Sequence, residues 1–280
     1  MIQIAGMSPG QINMLPLTFF EKNIVVKKAN SPVLYRYDSL AALNFELKMR
    51  SNIVRAANAL LASGADFATF QESRCNEQFW LRTENGGFQL RSDVLSSDGI
   101  DDIFRNGRLY AFECAEAVVI ILYKAALDTL GREKFNTYFN NLFLMGWNHD
   151  SNLLLRRINN SEEAYPGDVL YFENPDYDPR TPEWRGENVI MIADDLYFGH
   201  GIGITTSAAI INSLNKARAP GSYTSAYLKD EVIFVDFEEL RKLKARGFFV
   251  LLDHGNVVVA KVGSTSYIWK KKQASAFRRG

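Results

Sequence analysis

The sequence predicts an α+β fold, with a buried central helix packed on a small antiparallel sheet. Three observations carry this. Residues 115–128 are apolar nearly all round, the mark of a helix with no wet face. Amphipathic helical patterns occupy the first half of the chain. Short β-rich runs separated by turn residues occupy the second. Of the 280 residues, 47% are hydrophobic and 12% aromatic, enough to build a core, which excludes a disordered chain.

The elements follow in order. Residues 1–35 read as an irregular N-terminal arm, because Pro9, Pro16 and Pro32 discourage helix. Asp38 can cap a helix over 38–62, where Leu40, Leu43, Leu47, Val54 and Leu61 keep helical spacing and Gly64 is a natural stop. Runs 79–83 and 88–91 flank Asn85-Gly86, a hairpin signal. A short helix is expected over 98–106, then the buried helix, then another short helix over 132–140. Strands are expected over 168–172, 188–192 and 196–198, with Asp194-Asp195 turning between the last two. An amphipathic helix over 205–218 is capped by Thr205 or Thr206, and a strand follows over 231–237. Asp253-His254-Gly255-Asn256 marks a second hairpin between 248–252 and 257–262, and the end from Lys270 reads as frayed.

The net charge is +0, from 32 Lys+Arg and 32 Asp+Glu, which argues against a dedicated nucleic-acid binder. The zero hides a split. Residues 241–280 hold ten Lys/Arg and one Asp, a net of +9, leaving −9 on residues 1–240. The start, Met1 to Gly10, has no basic region followed by an apolar run, and the longest apolar stretch is interrupted by Glu116 and Lys124. The expectation is therefore a soluble cytoplasmic protein without a membrane partner. Two cysteines, Cys75 and Cys114, cannot build a disulfide framework.

Cys114 opens the buried helix. A thiol there meets unpaired N–H groups and the positive end of the helix dipole, which favour thiolate. Such a residue serves as a nucleophile or as a small buried hydrophobe. A nucleophile needs a proton acceptor. His149, His200 and His254 are the histidines; His200, before Gly201-Ile202-Gly203, is the one placed to face a cleft, and each can equally be a solvated or hydrogen-bonded residue. Glu187 lies between Trp184 and an apolar strand, where desolvation would raise its pKa toward general acid–base work. A salt bridge to Arg185 or a plain surface position is the competing reading. Glu113 adjoins Cys114 and is similar. Other chemistries fit poorly. The glycines around His200 lack a nucleotide-binding pattern, and residues 174–185 lack the glycine and final carboxylate of a calcium loop. No metal site and no cofactor are expected.

Read together, several segments resemble the bacterial spore-coat transglutaminase family. They include Phe45-Glu46-Leu47-Lys48, Tyr110-Ala111-Phe112-Glu113-Cys114-Ala115, Gly167-Asp168-Val169-Leu170-Tyr171-Phe172, and Trp184-Arg185-Gly186-Glu187-Asn188-Val189-Ile190 leading to His200-Gly201-Ile202-Gly203. The resemblance implies a papain-like core of the NlpC type. Pro166-Gly167-Asp168 is present, and Glu187 stands where related cell-wall peptidases carry their catalytic His. It divides the chain into the arm, a catalytic domain over 36–243, and an extension over 244–280 made of a β-hairpin and basic tail.

The implied activity is protein-glutamine γ-glutamyl transfer. Cys114 attacks a protein Gln, and a Lys amine of a second protein resolves the thioester. Glu187 manages the proton and Glu113 partly stands in for it. Trp147, Tyr171, Trp184, Asn188 and His200 are expected to wall the substrate channel, with Phe67 and Phe70 as weaker candidates. The partners implied are spore coat proteins bearing Gln and Lys, met first in the cytoplasm of the sporulating cell and then in the coat. The acidic body would favour cationic Lys donors, and activity is expected without calcium. A Cys peptidase or amidase on the same fold, and a non-enzymatic coat scaffold, are the alternatives.

Overall fold

The computed structural model describes residues 1–246, 252–254, 257–262 and 265–270. Two compact units divide it, residues 1–241 and 242–280.

The N-terminal segment is regular, not irregular. Strand β1 (Ile2–Ile4) precedes helices α1 (Pro9–Asn13) and α2 (Phe19–Asn30), and β1 pairs in parallel with β2 (Tyr35–Tyr37). The prolines do not prevent this. Pro9 occupies the first turn of α1, where its missing N–H costs nothing. Thr18 caps α2 in a capping box with Glu21. Ile24 and Val25 of α2 pack with Leu43 and Leu47 in one apolar cluster.

Those leucines lie on α3 (Leu40–Ser63), capped by Ser39 rather than Asp38: the Ser39 hydroxyl accepts the Ala42 N–H at 3.2 Å. Gly64 ends it in the left-handed conformation, φ 77°. Short strands follow: β3 (Asp66–Phe67), and the expected hairpin β4 (Trp80–Arg82) with β5 (Phe88–Leu90). Helix α4 (Ser96–Arg105) and β6 (Ala111–Phe112), which pairs with β3, lead into α5 (Cys114–Leu130). Along α5 only Lys124 and Asp128 escape full burial. It packs between α3 and the sheet, and α6 (Arg132–Tyr138) turns back against it. Strand β7 (Phe143–Leu144) joins β5.

The main sheet uses β8 (Leu155–Ile158), β9 (Val169–Glu173), β10 (Gly186–Ala193), β11 (Leu196–Gly199) and β12 (Gly203–Thr205). Helix α7 (Ser207–Lys216), capped by Thr206, covers one face. Strands β13 (Tyr227–Leu228) and β14 (Val232–Val235) complete it. It has seven antiparallel strands, more than the small sheet expected, in the order β12-β11-β10-β9-β14-β8 with β13 on β9.

The last expected strand stops early. Asp236 accepts the Glu239 N–H at 3.0 Å and starts α8 (Phe237–Ala245). Beyond it, β15 (Leu252–His254), β16 (Val257–Val262) and β17 (Thr265–Lys270) form a three-stranded antiparallel sheet. Residues 248–251 of the expected hairpin and the tail 271–280 lie outside the described residues.

A buried ionic network ties the N-terminal segment to the sheet. Glu46 of α3 accepts from Lys28 at 2.6 Å and from Arg50 at 2.7 Å. Arg50 continues to Asp168, before β9, at 2.7 Å. Gly167 stands at φ +92°, and a Cβ there would lie 3.1 Å from the Arg50 Cα. Within Pro166-Gly167-Asp168, the glycine therefore permits the close approach and the aspartate makes the tie.

Candidate active site

Cys114 begins α5 because Phe112 and Glu113 enter in extended conformation, with Glu113 at the cap. The thiol is 7% exposed and lies in the wall of a cavity of about 850 Å³. Asn188 of β10 donates from Nδ2 to its Sγ at 3.3 Å. Neighbours on a strand point to opposite faces. Asn188 accordingly lines the cavity with Cys114, and Glu187 does not.

Glu187 is 5% exposed, and its Oε1 has no hydrogen-bond partner among the described residues. A Cβ on Gly199 would lie 3.0 Å from that oxygen. The bare glycine is what leaves room for the carboxyl. Burial pushes Glu187 well above the ordinary carboxylate range, against the backbone N–H of His200, and the charge of Glu113 adds to the rise. Burial and the Glu187 charge push the Cys114 thiol up to about 12, against hydrogen bonds from Asn188. The thiolate expected from the helix terminus is thus opposed. A dry, acidic surrounding keeps the proton in the site at rest.

Glu113 is half-buried in the cavity wall. Burial raises its pKa while Arg185 pulls it down. Arg185 makes no ion pair with Glu187 among the described residues; its charge acts on Glu113. Trp147 and Tyr171 line the cavity, as do Phe67 and Phe70. Gly186 leaves space for the Tyr171 ring, since a Cβ there would meet the hydroxyl at 2.2 Å.

Two expected wall residues stand elsewhere. Trp184 packs half-buried on the apolar cluster beneath α7. His200 is stacked on Phe112 at 4.7 Å, with Nε2 against the Asp66 carbonyl at 3.0 Å. Burial takes it down to about 4, so it is a neutral ring at physiological pH. His149 lines the cavity, its Nδ1 2.7 Å from the Trp147 carbonyl. Cys75 is half-buried with its thiol pushed up to about 12 by burial.

Sequence reasoning missed Glu116. It is 0% exposed, neither carboxyl oxygen has a partner among the described residues, and burial raises it to about 8, with Glu113 adding to the effect. The signal was present: a carboxylate inside an apolar helix is a charge that must go somewhere. No group of three or more metal-ligating side chains occurs among the described residues, and no helix there is long and apolar enough to cross a membrane.

A helix-borne thiol in a cavity wall, acids around it and an aromatic-lined approach are the parts of an acyl-transfer enzyme. Comparison with known proteins gives the particular family. The protein-glutamine gamma-glutamyltransferase family model matches residues 1–244. A protein-glutamine gamma-glutamyltransferase of Bacillus pumilus is 47% identical over 209 residues, 75% of this chain and 84% of its own. That of Halalkalibacterium halodurans is 40% identical over 243 residues, 87% and 85%. That of Bacillus mycoides is 40% identical over 261 residues, 91% and 94%. Among solved structures, the transglutaminase of Geobacillus stearothermophilus without its C-terminal extension matches with a TM-score of 0.70 at 50% identity, covering 73% of this chain and 98% of that one. The chain belongs to the protein-glutamine gamma-glutamyltransferase family: it is an acyltransferase that cross-links proteins.

Proposed function

We propose that the cross-link forms through a Cys114 thioester managed by Glu187. The observation that carries this is Cys114 itself, at the first position of α5, in the cavity wall and held by Asn188. Sγ attacks the γ-carbonyl carbon of a protein Gln and its proton passes to the Glu187 carboxylate. The C–N bond breaks, and ammonia leaves with that proton. The ε-amine of a Lys then attacks the thioester carbon and gives a proton to Glu187. Sulfur departs and recovers the proton, leaving an ε-(γ-glutamyl)lysine bond. Each half-step exchanges one bond at the same carbon.

The raised pKa of Glu187 suits a group that must hold a proton and release it within one cycle. Glu113, in the cavity wall beside Cys114, can take part of that load. Tyr171, Trp147 and Asn188 would position the Gln side chain and keep water from the thioester. Trp184 and His200 would act from behind the wall, His200 by holding its backbone N–H toward Glu187. The buried helix with its leading Cys, packed on an antiparallel sheet, supports a papain-like core of the NlpC type. The substrates proposed are spore coat proteins, with the enzyme working in the sporulating cell and then in the coat, without calcium.

The test is incorporation of a labelled amine into a Gln-bearing protein. Cys114→Ala should abolish it, and Glu187→Gln should lower kcat by roughly 10²–10⁴-fold. Continued Lys–Gln cross-linking by Cys114→Ala would overturn the mechanism. Ammonia release without amine incorporation in the parent would point to a hydrolase instead.

A further inference from the structure

The cavity is larger than a glutamine side chain needs. Its wall crosses four adjacent strands, from Asn188 on β10 through Val169 and Tyr171 on β9 and Ile233 on β14 to Arg157 on β8. At about 4.8 Å per strand this is a groove of roughly 15 Å, room for about four residues of extended chain.

The charge at its far end opposes the −9 of the body. Arg156, Arg157 and Lys229 line it, together with one carboxylate, Glu231. These cations have acidic partners, but the partners lie beneath. Arg156 is 60% exposed over an Asp236 that is 13% exposed, and Arg157 is 63% exposed over a Glu231 at 23%. Lys229 projects likewise over Glu173, at 44% against 33%. In each pair the cation is the more exposed member, by a wide margin for the two arginines and a narrow one for Lys229. Nearer Cys114 the wall carries Glu113, Glu183 and Arg185, two acids and one cation.

We propose that this groove binds the glutamine-bearing segment of the acyl-donor protein and selects segments with acidic residues flanking the glutamine. Arg157 and Lys229, which share the face of Ile233, Val169 and Tyr171, are its specificity-determining residues. The proposal rests on the reading of Cys114 as the nucleophile, which fixes the end of the groove where the reactive Gln must sit. A neutral Gln flanked by Asp or Glu meets attraction there, whereas a cationic Lys-bearing segment meets repulsion. The rim thereby sorts the two protein substrates, and the first to bind is the one that must acylate sulfur.

The experiment measures kcat/KM for three Gln peptides with one core sequence and flanks of Asp/Glu, Asn/Gly or Arg, at a fixed concentration of labelled amine. The parent should prefer acidic over neutral flanks by roughly three- to tenfold, the yield of a few solvent-exposed charge contacts. That ratio should shrink as salt shortens the screening length below about 8 Å. Arg157→Glu combined with Lys229→Glu should reverse the order, and Arg157→Lys should keep it. Equal kcat/KM for the three peptides in the parent, or an unchanged order in the folded reversal variant, overturns the proposal. If the reversal variant fails to fold, the parent's flank series and its salt dependence decide alone. Cys114→Ala runs alongside. Incorporation that survives in it defeats the nucleophile reading, whereas a flat flank series with Cys114-dependent incorporation defeats the groove reading only.

Discussion

Two groups of four ionisable residues, both largely withdrawn from water, behave in opposite ways. Lys28, Glu46, Arg50 and Asp168 are two cations and two anions in direct contact. Burial would raise Glu46, but Lys28 and Arg50 outweigh it and take it down to about 2; at the ends of the network burial prevails, moving Asp168 up and Lys28 down against their partners. Glu113, Cys114, Glu116 and Glu187 are four acids, and the cation that acts on them, Arg185, is exposed at the cavity mouth. Each of the four is pushed upward by burial. In the first group the charges satisfy one another and hold segments together. In the second they are left uncompensated, so protons stay, and stored protons are what acyl transfer must move.

The largest test strikes the compensated group. Arg50→Ala strands Glu46 and Asp168 in the interior and should cost about 3–5 kcal/mol, read as a lower denaturant midpoint. Replacing Lys28, Glu46, Arg50 and Asp168 together by apolar residues should cost less than Arg50→Ala alone. An Arg50→Ala protein as stable as the parent would erase the contrast.

The acid group predicts a pH response. With the thiol pushed up to about 12 and Glu187 also raised, amine incorporation should climb as pH rises above the ordinary carboxylate range, as the pair gives up one of its two protons and Glu187 becomes able to accept from Sγ. His200, held near 4, should contribute no inflection around 6.5. A bell centred there would show that a histidine and not the acid pair governs the rate.

Glu116 sharpens the comparison through stability. Its pKa is about 8 folded against 4.5 as the ordinary value, so the folded state holds a proton that the unfolded state gives up between those limits. Stability should be full below pH 4.5 and fall by roughly 3–5 kcal/mol as pH rises to 8. Glu116→Gln should remove that loss, raising Tm at pH 8.5 and leaving it little changed at pH 4.5. An equal shift at both pH values would mean the group is not the source. The smallest effect expected is for Gly199→Ala. The added methyl presses on the Glu187 carboxyl from 3.0 Å and should lower kcat several-fold with little change in Tm.

Much of this was legible in the residues, for reasons of period and punctuation. The apolar run after Cys114, the stop at Gly64 and the turn at Asp194-Asp195 each have a local cause, and each element appears near its expected bounds. What escaped depended on partners distant in the chain. Pro9 and Pro16 suggested irregularity, but the packing of Ile24 and Val25 on Leu43 and Leu47 overrides that local hint. The Asp236 cap is hidden in the sequence because Val232–Val235 runs directly into it. At the site, Cys114 and Asn188 meet across 74 positions. Alternation along β10 then gives Glu187 and Asn188 different surroundings, although they are adjacent in sequence. Trp184 and His200 share motifs with wall residues but face other neighbours, because a motif records order along the chain and not direction in space.

The burial of α5 has a consequence for how the enzyme fails. A helix buried everywhere but at Lys124 and Asp128 exchanges most of its amide hydrogens only when the surrounding core opens. Its first residue is the proposed nucleophile, so partial fraying elsewhere leaves that atom where it was. Inactivation and global melting should then be one event on one timescale. An enzyme built this way keeps its chemistry intact up to the temperature at which it ceases to be folded at all.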